Sequence, residues 1–268
     1  MDTGRIIGGV VIIVIAAVLL YYLYDYLFNI GSIQKKGEIV TAPISASADV
    51  VDYPQGGDVK LNQVIFTGGE MSVSFWIYVT GTQANATTKK HIFHLGTDPL
   101  GVSGNVLAVM LGPAQQNGLI VKVEEGNGFN LQSFASENIN LTESCNIANM
   151  EFGRWVNVVI VLNNNVCDVY VDGKLSRSCV LKSQFLVPSA ATPALKFFVL
   201  KKTLGSGTDT TWNGSLSGLN FYNYAISPDE AYRIYFAGPS GASGDLWQAI
   251  KSFFGAGQKA AAVFTNPA

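Results

Sequence analysis

Short apolar runs separated by glycine and asparagine fill the chain from about residue 61 to residue 238. Eleven such runs occur, among them KHIFHLG at 90–96 and GFNLQSFA at 128–135. In the clearest run, EMSVSFWIYV at 70–79, every second residue is apolar, which is the period of a β-strand with one buried face. The pattern predicts an all-β sandwich over 61–238, in which each run is a strand. The predicted inward residues of the clearest run are Met71, Val73, Phe75, Ile77 and Val79.

The other face of this strand carries Ser72, Ser74, Trp76 and Tyr78. Serines beside a partly covered tryptophan are typical of a solvated face. Sugars also stack on aromatic rings, so the same face could line a shallow glycan-binding groove. Both interpretations stay open, and Trp76 and Tyr78 are the predicted glycan contacts.

The N-terminal segment is apolar in a different way. From Ile6 to Tyr24 run 19 residues without a charge, which as a helix would be about 28 Å long, close to the ~30 Å hydrocarbon core of a bilayer. No small-residue cleavage site follows, which favours an uncleaved anchor over a signal peptide or a buried helix. We predict a single transmembrane helix within 1–28, with the lipid bilayer as partner of residues 6–24. Residues 29–60 mix small, polar and proline residues and predict a tether with room for one edge strand.

The C-terminal part begins with a helix signal. Ser227 is a predicted N-cap, Pro228 is suited to the first helical position, and Glu230 completes a capping box. The domain is expected to close near Gly238, leaving 239–268 as a flexible tail with a short amphipathic helix. Its apolar side could be covered by the domain itself, by a membrane surface or by a groove on a partner. That side consists of Leu246, Trp247, Ile250, Phe253 and Phe254.

The stretch CDVYVDGKL at 167–175 contains two aspartates that could belong to an active site or to a sheet corner. A type I′ turn at Asp172 and Gly173 would place Asp168 opposite Arg177, so that turn chemistry and a cross-strand charge pair would occupy both carboxylates. Cys167 would then face away from Cys179, and a bridge between them is disfavoured unless a bulge shifts the register. If a disulfide forms, Cys145 with Cys179 is the preferred pair.

Other candidate chemistry is sparse. His91 and His94 differ by three, so on a regular strand they face opposite sides and cannot share a metal without a bulge. Glu124 and Glu125 are adjacent and also diverge. A net charge of −2 with no basic stripe excludes nucleic-acid binding. We expect no catalytic residue, no metal and no cofactor.

Three longer stretches carry a resemblance to a known family. EMSVSFWIYV, RWVNVVIVLNNNVCDVYVDGKL and NGSLSGLNFYNYAISPDEAYRIYFAG resemble the signature strands of the laminin-G-like, concanavalin A-like jelly-roll superfamily, over about residues 61–238. The string from Cys145 to Leu181 is similar to membrane-anchored members from large nucleocytoplasmic DNA viruses, especially algal ones. In that resemblance Cys145 and Cys179 fall at recurring cysteine positions, and Cys167 does not.

The resemblance implies a jelly-roll fold, which lectins, glycosidases and adhesion modules share. The chain lacks the acidic catalytic strand of the glucanases, and Asp98 is an isolated candidate for a Ca²⁺ ligand. We therefore expect a non-enzymatic, membrane-anchored structural protein of a virion, a minor capsid protein that contacts other capsid or membrane proteins. The alternative is a membrane-displayed, lectin-like module that binds carbohydrate, and a glycoside hydrolase is the weaker third hypothesis.

Overall fold

A computed structural model describes residues 12, 14–20, 22–23, 36–46, 69–81, 87–113, 117–124, 129–136, 145–185 and 195–239. The chain divides into two compact units, Met1–Lys35 and Lys36–Ala268. In the first unit, residues 12, 14–20 and 22–23 are helical and exposed. Among the residues described, no helix has both the length and the apolar character needed to cross a membrane. The anchor predicted over 6–24 lies partly outside the described residues. The tail helix predicted around residue 250 lies wholly outside them.

The second unit is a sandwich of two antiparallel sheets, with strands numbered in chain order. The larger sheet has the order β1 (Lys36–Val40), β13 (Asn213–Tyr222), β3 (Glu70–Gly81), β7 (Trp155–Asn163), β8 (Val166–Val171) and β9 (Lys174–Val180), and β2 (Ile44–Ser45) also pairs with β13. The smaller sheet has the order β10 (Lys196–Val199), β4 (Lys90–Gly96), β5 (Leu107–Leu111) and β6 (Leu119–Val123). A two-stranded ribbon pairs β11 (Thr203–Leu204) with β12 (Thr208–Asp209). This arrangement confirms the predicted all-β sandwich.

The core lies between the two sheets. The five predicted inward residues of β3 are all buried, with at most 1% of their surface exposed. Phe75 of the larger sheet meets Phe93 of the smaller sheet edge to face, with ring centroids 5.3 Å apart. Burial of each such side chain stabilises the fold by about 1.5–3 kcal/mol, so the alternating pattern along β3 provides much of what holds the sheets together.

Two segments differ from their predicted roles. Strands β1 and β2 lie within the predicted tether and pair with β13, so the larger sheet begins well before residue 61. The run GFNLQSFA, predicted to be a strand, contains instead helix α1 (Leu131–Ser136). Asn130 caps this helix, because its side-chain oxygen accepts a hydrogen bond from the Ser133 N–H at 3.0 Å. Leu131, Phe134 and Ala135 are buried at helical spacing, which overrides the alternation that suggested a strand.

The β8–β9 hairpin confirms the predicted turn and corrects the predicted register. Asp172 and Gly173 both have positive φ, 50° and 72°, as a type I′ turn requires. A bulge next to Tyr170 then shifts the pairing by one residue, so that Asp168 lies opposite Ser178 and Cys167 opposite Cys179. The predicted placement of Arg177 opposite Asp168 is therefore wrong, because Arg177 lies opposite Val169.

Candidate functional site

The outer face of the larger sheet is covered along its middle by the end of the domain. Helix α2 (Pro228–Ala237) begins at Ser227, whose side chain accepts the Glu230 N–H, as the capping signal predicts. The segment before it is held to β3 by Ser72, whose hydroxyl donates to the Tyr224 carbonyl at 2.8 Å and accepts from the Ile226 N–H at 3.0 Å. The face predicted to be solvated at Ser72 and Ser74 is thus buried.

Trp76 lies beneath this helix. Its ring is stacked on Tyr235, with centroids 5.9 Å apart and an interplanar angle of 21°, and only 6% of the residue is exposed. Opposite Trp76 in β7 is Asn157, which is also fully buried. The predicted glycan contact at Trp76 stays a prediction, and in this arrangement a sugar could reach only the rim of the ring.

The next row of outward-facing residues is less covered. Tyr78 is opposite Trp155 of β7, and the two half-buried rings lie with centroids 5.7 Å apart at 54°. On its other side Tyr78 is opposite Ser215, which is in turn opposite the exposed Ser45. We call Ser45, Ser215, Tyr78 and Trp155 the aromatic row. It combines two adjacent rings with hydroxyl groups, the groups that bind the apolar face and the hydroxyls of a sugar.

A charged cluster lies beside the aromatic row. Arg154 donates to the Trp155 carbonyl at 3.0 Å and to the Asp172 carboxylate at 2.6 Å, and it also pairs with Glu151. These two carboxylates raise the pKa of the Arg154 guanidinium, Asp172 more than Glu151. Asp172 also accepts the Asn157 N–H at 2.9 Å. The turn aspartate therefore positions the start of β7, where Trp155 lies.

Two cavities flank helix α2. The first, of about 430 Å³, is lined by Trp76, Asn220 and two glutamates, Glu38 and Glu230. Both carboxylates are engaged: Glu38 pairs with Lys36 at 2.9 Å, and Glu230 accepts from the Tyr224 hydroxyl at 2.7 Å. Each glutamate of this cavity thus has a polar partner within the domain.

The second cavity, of about 520 Å³, lies between the β7–β8 turn and the start of helix α2. Its polar lining includes the turn asparagines, residues 163–165, together with Asp168 and Tyr170. One carboxylate oxygen of Asp168 is buried and accepts no hydrogen bond. Asp168 is the one acidic residue among those that line this cavity, so no pair of carboxylates faces across it.

The histidines are placed differently from the prediction. A bulge in β4 between His91 and Phe93 turns both rings to the same side, where His91 Nε2 and His94 Nδ1 are 2.8 Å apart. The Lys201 N–H donates to His91 Nδ1 at 3.0 Å, and His94 Nε2 lies 3.0 Å from the Asp98 carbonyl oxygen. Because His91 accepts at Nδ1, it donates from Nε2 to His94 Nδ1, and His94 then donates from Nε2 to the Asp98 carbonyl. Both rings are therefore neutral Nε2–H tautomers. All four ring nitrogens have partners, which leaves no lone pair for a metal.

Asp98, the isolated Ca²⁺ candidate, has a role within its own loop. Its two carboxylate oxygens accept the N–H groups of Leu100 and Val102, at 3.1 and 2.7 Å. The nearby Asn105 amide donates to the carbonyls of Gly101 and Phe129, at 2.8 and 2.6 Å. The carboxylate organises the turn after β4 through the hydrogen bonds that aspartate side chains make in such turns.

The cysteines form one cluster near the open edge of the sandwich. Cys145 and Cys179 are joined by a disulfide, with Cα atoms 5.7 Å apart, which confirms the preferred pair. Cys167 is a free, buried thiol, and burial, with a smaller contribution from Asp168, raises its pKa to about 12. The predicted reason for the pairing was wrong, because Cys167 does lie opposite Cys179.

Comparison with protein families identifies the fold. The Laminin_G_3 model, described as the concanavalin A-like lectin/glucanases superfamily, matches residues 54–231. The chain belongs to this superfamily. No curated protein sequence matches the chain.

Several solved structures are similar to this superfamily member. Domain 4 of AbnA, a GH43 extracellular arabinanase from Geobacillus stearothermophilus solved in complex with arabinotriose, is 16% identical over 63% of this chain and 67% of that one, with a TM-score of 0.39. The binding domains of botulinum neurotoxin serotypes G and D/C are 13% and 12% identical, with TM-scores of 0.44 and 0.45. Each neurotoxin match covers 76% of this chain, which spans less than half of the neurotoxin chains, 46% and 47%. At these identities the likeness carries no argument about ligands.

Proposed function

We propose that the chain is a non-enzymatic, carbohydrate-binding protein that is held at a membrane by its N-terminal segment. The observation that supports the proposal is the aromatic row, in which the half-buried rings of Tyr78 and Trp155 lie side by side next to Ser215. Two rings 5.7 Å apart offer a surface that matches the apolar face of a sugar. Trp155 was not among the predicted contacts, and its cross-strand position opposite Tyr78 adds it.

The absence of catalysis is part of this proposal. A glycoside hydrolase needs two carboxyl groups across the scissile bond, roughly 5–9.5 Å apart, one of them available as an acid. In the cavity beside Trp76, Glu38 is paired with Lys36 and Glu230 holds the Tyr224 hydroxyl. The aromatic row itself contains no carboxylate. The geometry of the described residues thus favours binding over bond cleavage.

The membrane part of the proposal rests on the N-terminal segment. Its described helical residues are apolar and exposed, and several expose half or more of their surface. Exposed apolar side chains on a soluble surface mark an interaction site with lipid or protein. The apolar run from 6 to 24 has the length that a bilayer core needs. The most exposed of them are Ile12, Leu19, Leu20 and Tyr22.

A glycan array with the full-length protein in detergent micelles tests the binding function. We expect specific binding, and we expect Trp155→Ala and Tyr78→Ala each to weaken it several-fold, since an aromatic contact contributes about 0.5–1.5 kcal/mol beyond its area. Phe236→Ala is the matched control, because that ring is aromatic, 80% exposed and on helix α2. A silent array, or binding that survives both substitutions, would contradict the proposal.

A second candidate function is a structural role in a virion, as a minor capsid protein that links an internal membrane to the shell. The apolar N-terminal segment joined to a folded domain supports it, as does the resemblance of the string from Cys145 to Leu181 to membrane-anchored viral proteins. Mass spectrometry of purified particles is the test. Detection at stoichiometric copy number is expected for a capsid component, and absence from the particles would exclude this role.

A further inference from the structure

The three cysteines bring their sulfur atoms together from three separate parts of the chain. Cys145 begins a loop, Cys167 lies in β8 and Cys179 lies in β9, and the three Sγ atoms are within 4.8 Å of one another. Cys145 and Cys179 share the disulfide, so the free thiol of Cys167 lies close to both bonded sulfurs. A thiol this near a disulfide has the placement needed for exchange.

The disulfide in its present position joins the two sheets at one edge of the sandwich. Cys179 is in β9, the last strand of the larger sheet. Cys145 leads into Ile147, whose N–H and carbonyl both bond to Leu119 at 2.8 Å, at the start of β6, the last strand of the smaller sheet. The Cys145–Cys179 bond therefore links the edge strands of both sheets. A bond between Cys167 and Cys179 would instead lie wholly within the larger sheet.

We propose that these cysteines form an exchange centre in which the disulfide moves between Cys145–Cys179 and Cys167–Cys179. The Cys167 thiol loses its proton, and the thiolate attacks the Cys179 sulfur. The Cys167–Cys179 bond forms as the Cys145–Cys179 bond breaks, and Cys145 leaves as a thiolate that takes up a proton. The new bond takes an electron pair of the Cys167 thiolate, and the pair of the old bond leaves with the Cys145 sulfur, so one disulfide and one thiol are present before and after and no oxidant or reductant is consumed.

The pairing register of β8 and β9 supports the two proposed positions of the disulfide. Cys167 and Cys179 are cross-strand partners because of the bulge beside Tyr170, and without that bulge the two side chains would lie on opposite faces. Both Cys145 and Cys179 sulfurs also lie beside the Cys167 carbonyl, at 3.9 and 3.3 Å. The bulge thus brings the third sulfur to the disulfide.

Exchange is held in check by burial of the attacking thiol. Burial and then Asp168 raise the pKa of Cys167 to about 12, so the thiolate is scarce at neutral pH. The two bonded sulfurs of the cluster do not titrate. The link between the sheets is therefore kept at neutral pH and released when the thiol ionises or the β8–β9 edge opens.

The first experiment follows the free thiol in the full-length wild-type protein. The native protein is held at pH 9 without added thiol, quenched in acid, and labelled with N-ethylmaleimide in guanidinium at pH 6.5. We expect the label on Cys167 at the start and increasingly on Cys145 with time, at a rate that does not depend on protein concentration. Label that stays on Cys167 alone would overturn the proposal. Cys167→Ser is the control and should give no label on Cys145.

The second experiment asks whether the alternative bond can form when the usual one is removed. Cys145→Ser and Cys167→Ser each leave two cysteines and are reoxidised with glutathione disulfide, which accepts the two electrons and becomes glutathione. We expect both variants to close a disulfide, Cys167–Cys179 in the first and Cys145–Cys179 in the second. Circular dichroism confirms that each is folded. Two free thiols in folded Cys145→Ser protein, beside a closed bond in Cys167→Ser, would overturn the proposal.

Discussion

The ring of Tyr235 lies on the ring of Trp76, 5.9 Å away and nearly parallel, and this contact joins helix α2 to the outer face of the larger sheet. The same helix lies against the β8–β9 turn, where a Cβ atom on Gly173 would be 3.1 Å from Tyr232 Cα and 3.2 Å from Tyr235 Cβ. Helix α2 therefore lies against the larger sheet at two places, the ring of Trp76 and the backbone of Gly173.

Gly173→Ala should destabilise the domain. The new Cβ would be too close to the backbone of helix α2. Gly173 also has a φ of 72°, a backbone angle that residues other than glycine rarely adopt. Together these effects should lower the free energy of unfolding by about 1–3 kcal/mol, measured by urea denaturation. Gly81→Ala is the control, since a Cβ there would meet nothing within 4 Å. If the two variants were equally stable, the close approach of helix α2 to Gly173 would be contradicted.

Tyr235→Ala should uncover Trp76. The loss of the stacked ring removes a buried aromatic contact and admits water to the outer face. The free energy of unfolding should therefore fall by about 1–3 kcal/mol. The tryptophan emission of the protein should shift to longer wavelength, because the Trp76 indole becomes hydrated while the other three tryptophans are unchanged. Phe236→Ala, on the same helix with a ring 80% exposed, should change neither quantity. A spectrum of Tyr235→Ala identical to that of the control would show that the helix does not cover Trp76.

The alternation along β3 was sufficient to predict which residues face the core, because an antiparallel sandwich buries one face of each strand. It could not predict the fate of the other face. Trp76 is buried beneath a helix that begins more than 150 residues later, and no local pattern encodes that contact. The capping signal at Ser227 predicted this helix but not where it packs.

Two bulges account for the main errors at the candidate sites. One in β4 turns His94 to the same side as His91, and one beside Tyr170 brings Cys167 opposite Cys179. Neither has a glycine or proline to mark it, so an unbroken period of two was the natural expectation. The turn at Asp172 was predictable, because aspartate followed by glycine is the residue pair that type I′ geometry favours.

Asp172 should be important for the start of β7 as well as for the turn. Its carboxylate accepts the Asn157 N–H at 2.9 Å and pairs with Arg154 at 2.6 Å. Asp172→Ala leaves that N–H without its acceptor, so the free energy of unfolding should fall by about 1–3 kcal/mol in urea. Asp172→Asn keeps an oxygen acceptor and a residue suited to positive φ, and should lose less than the alanine variant. The reverse order would exclude the hydrogen bond as the cause.

The buried histidine pair should make the domain sensitive to acid. Burial, followed by His94 and Lys201, lowers the pKa of His91 well below its usual 6.5. In the unfolded chain His91 takes up a proton as the pH falls through about 6.5, whereas in the folded domain it stays neutral. The free energy of unfolding should therefore decrease as the pH falls from about 7 to 5, by at most about 1.4 kcal/mol per pH unit from this residue.

Urea midpoints at pH 7, 6 and 5 measure this decrease, within a window above the range where most carboxylates titrate. His91→Gln offers a group that can accept the Lys201 N–H and donate to His94, but that does not titrate. The variant should be less stable than the wild type at pH 7 and should lose less stability on acidification. If its dependence on pH matches that of the wild type, His91 is not the group whose protonation the folded domain opposes.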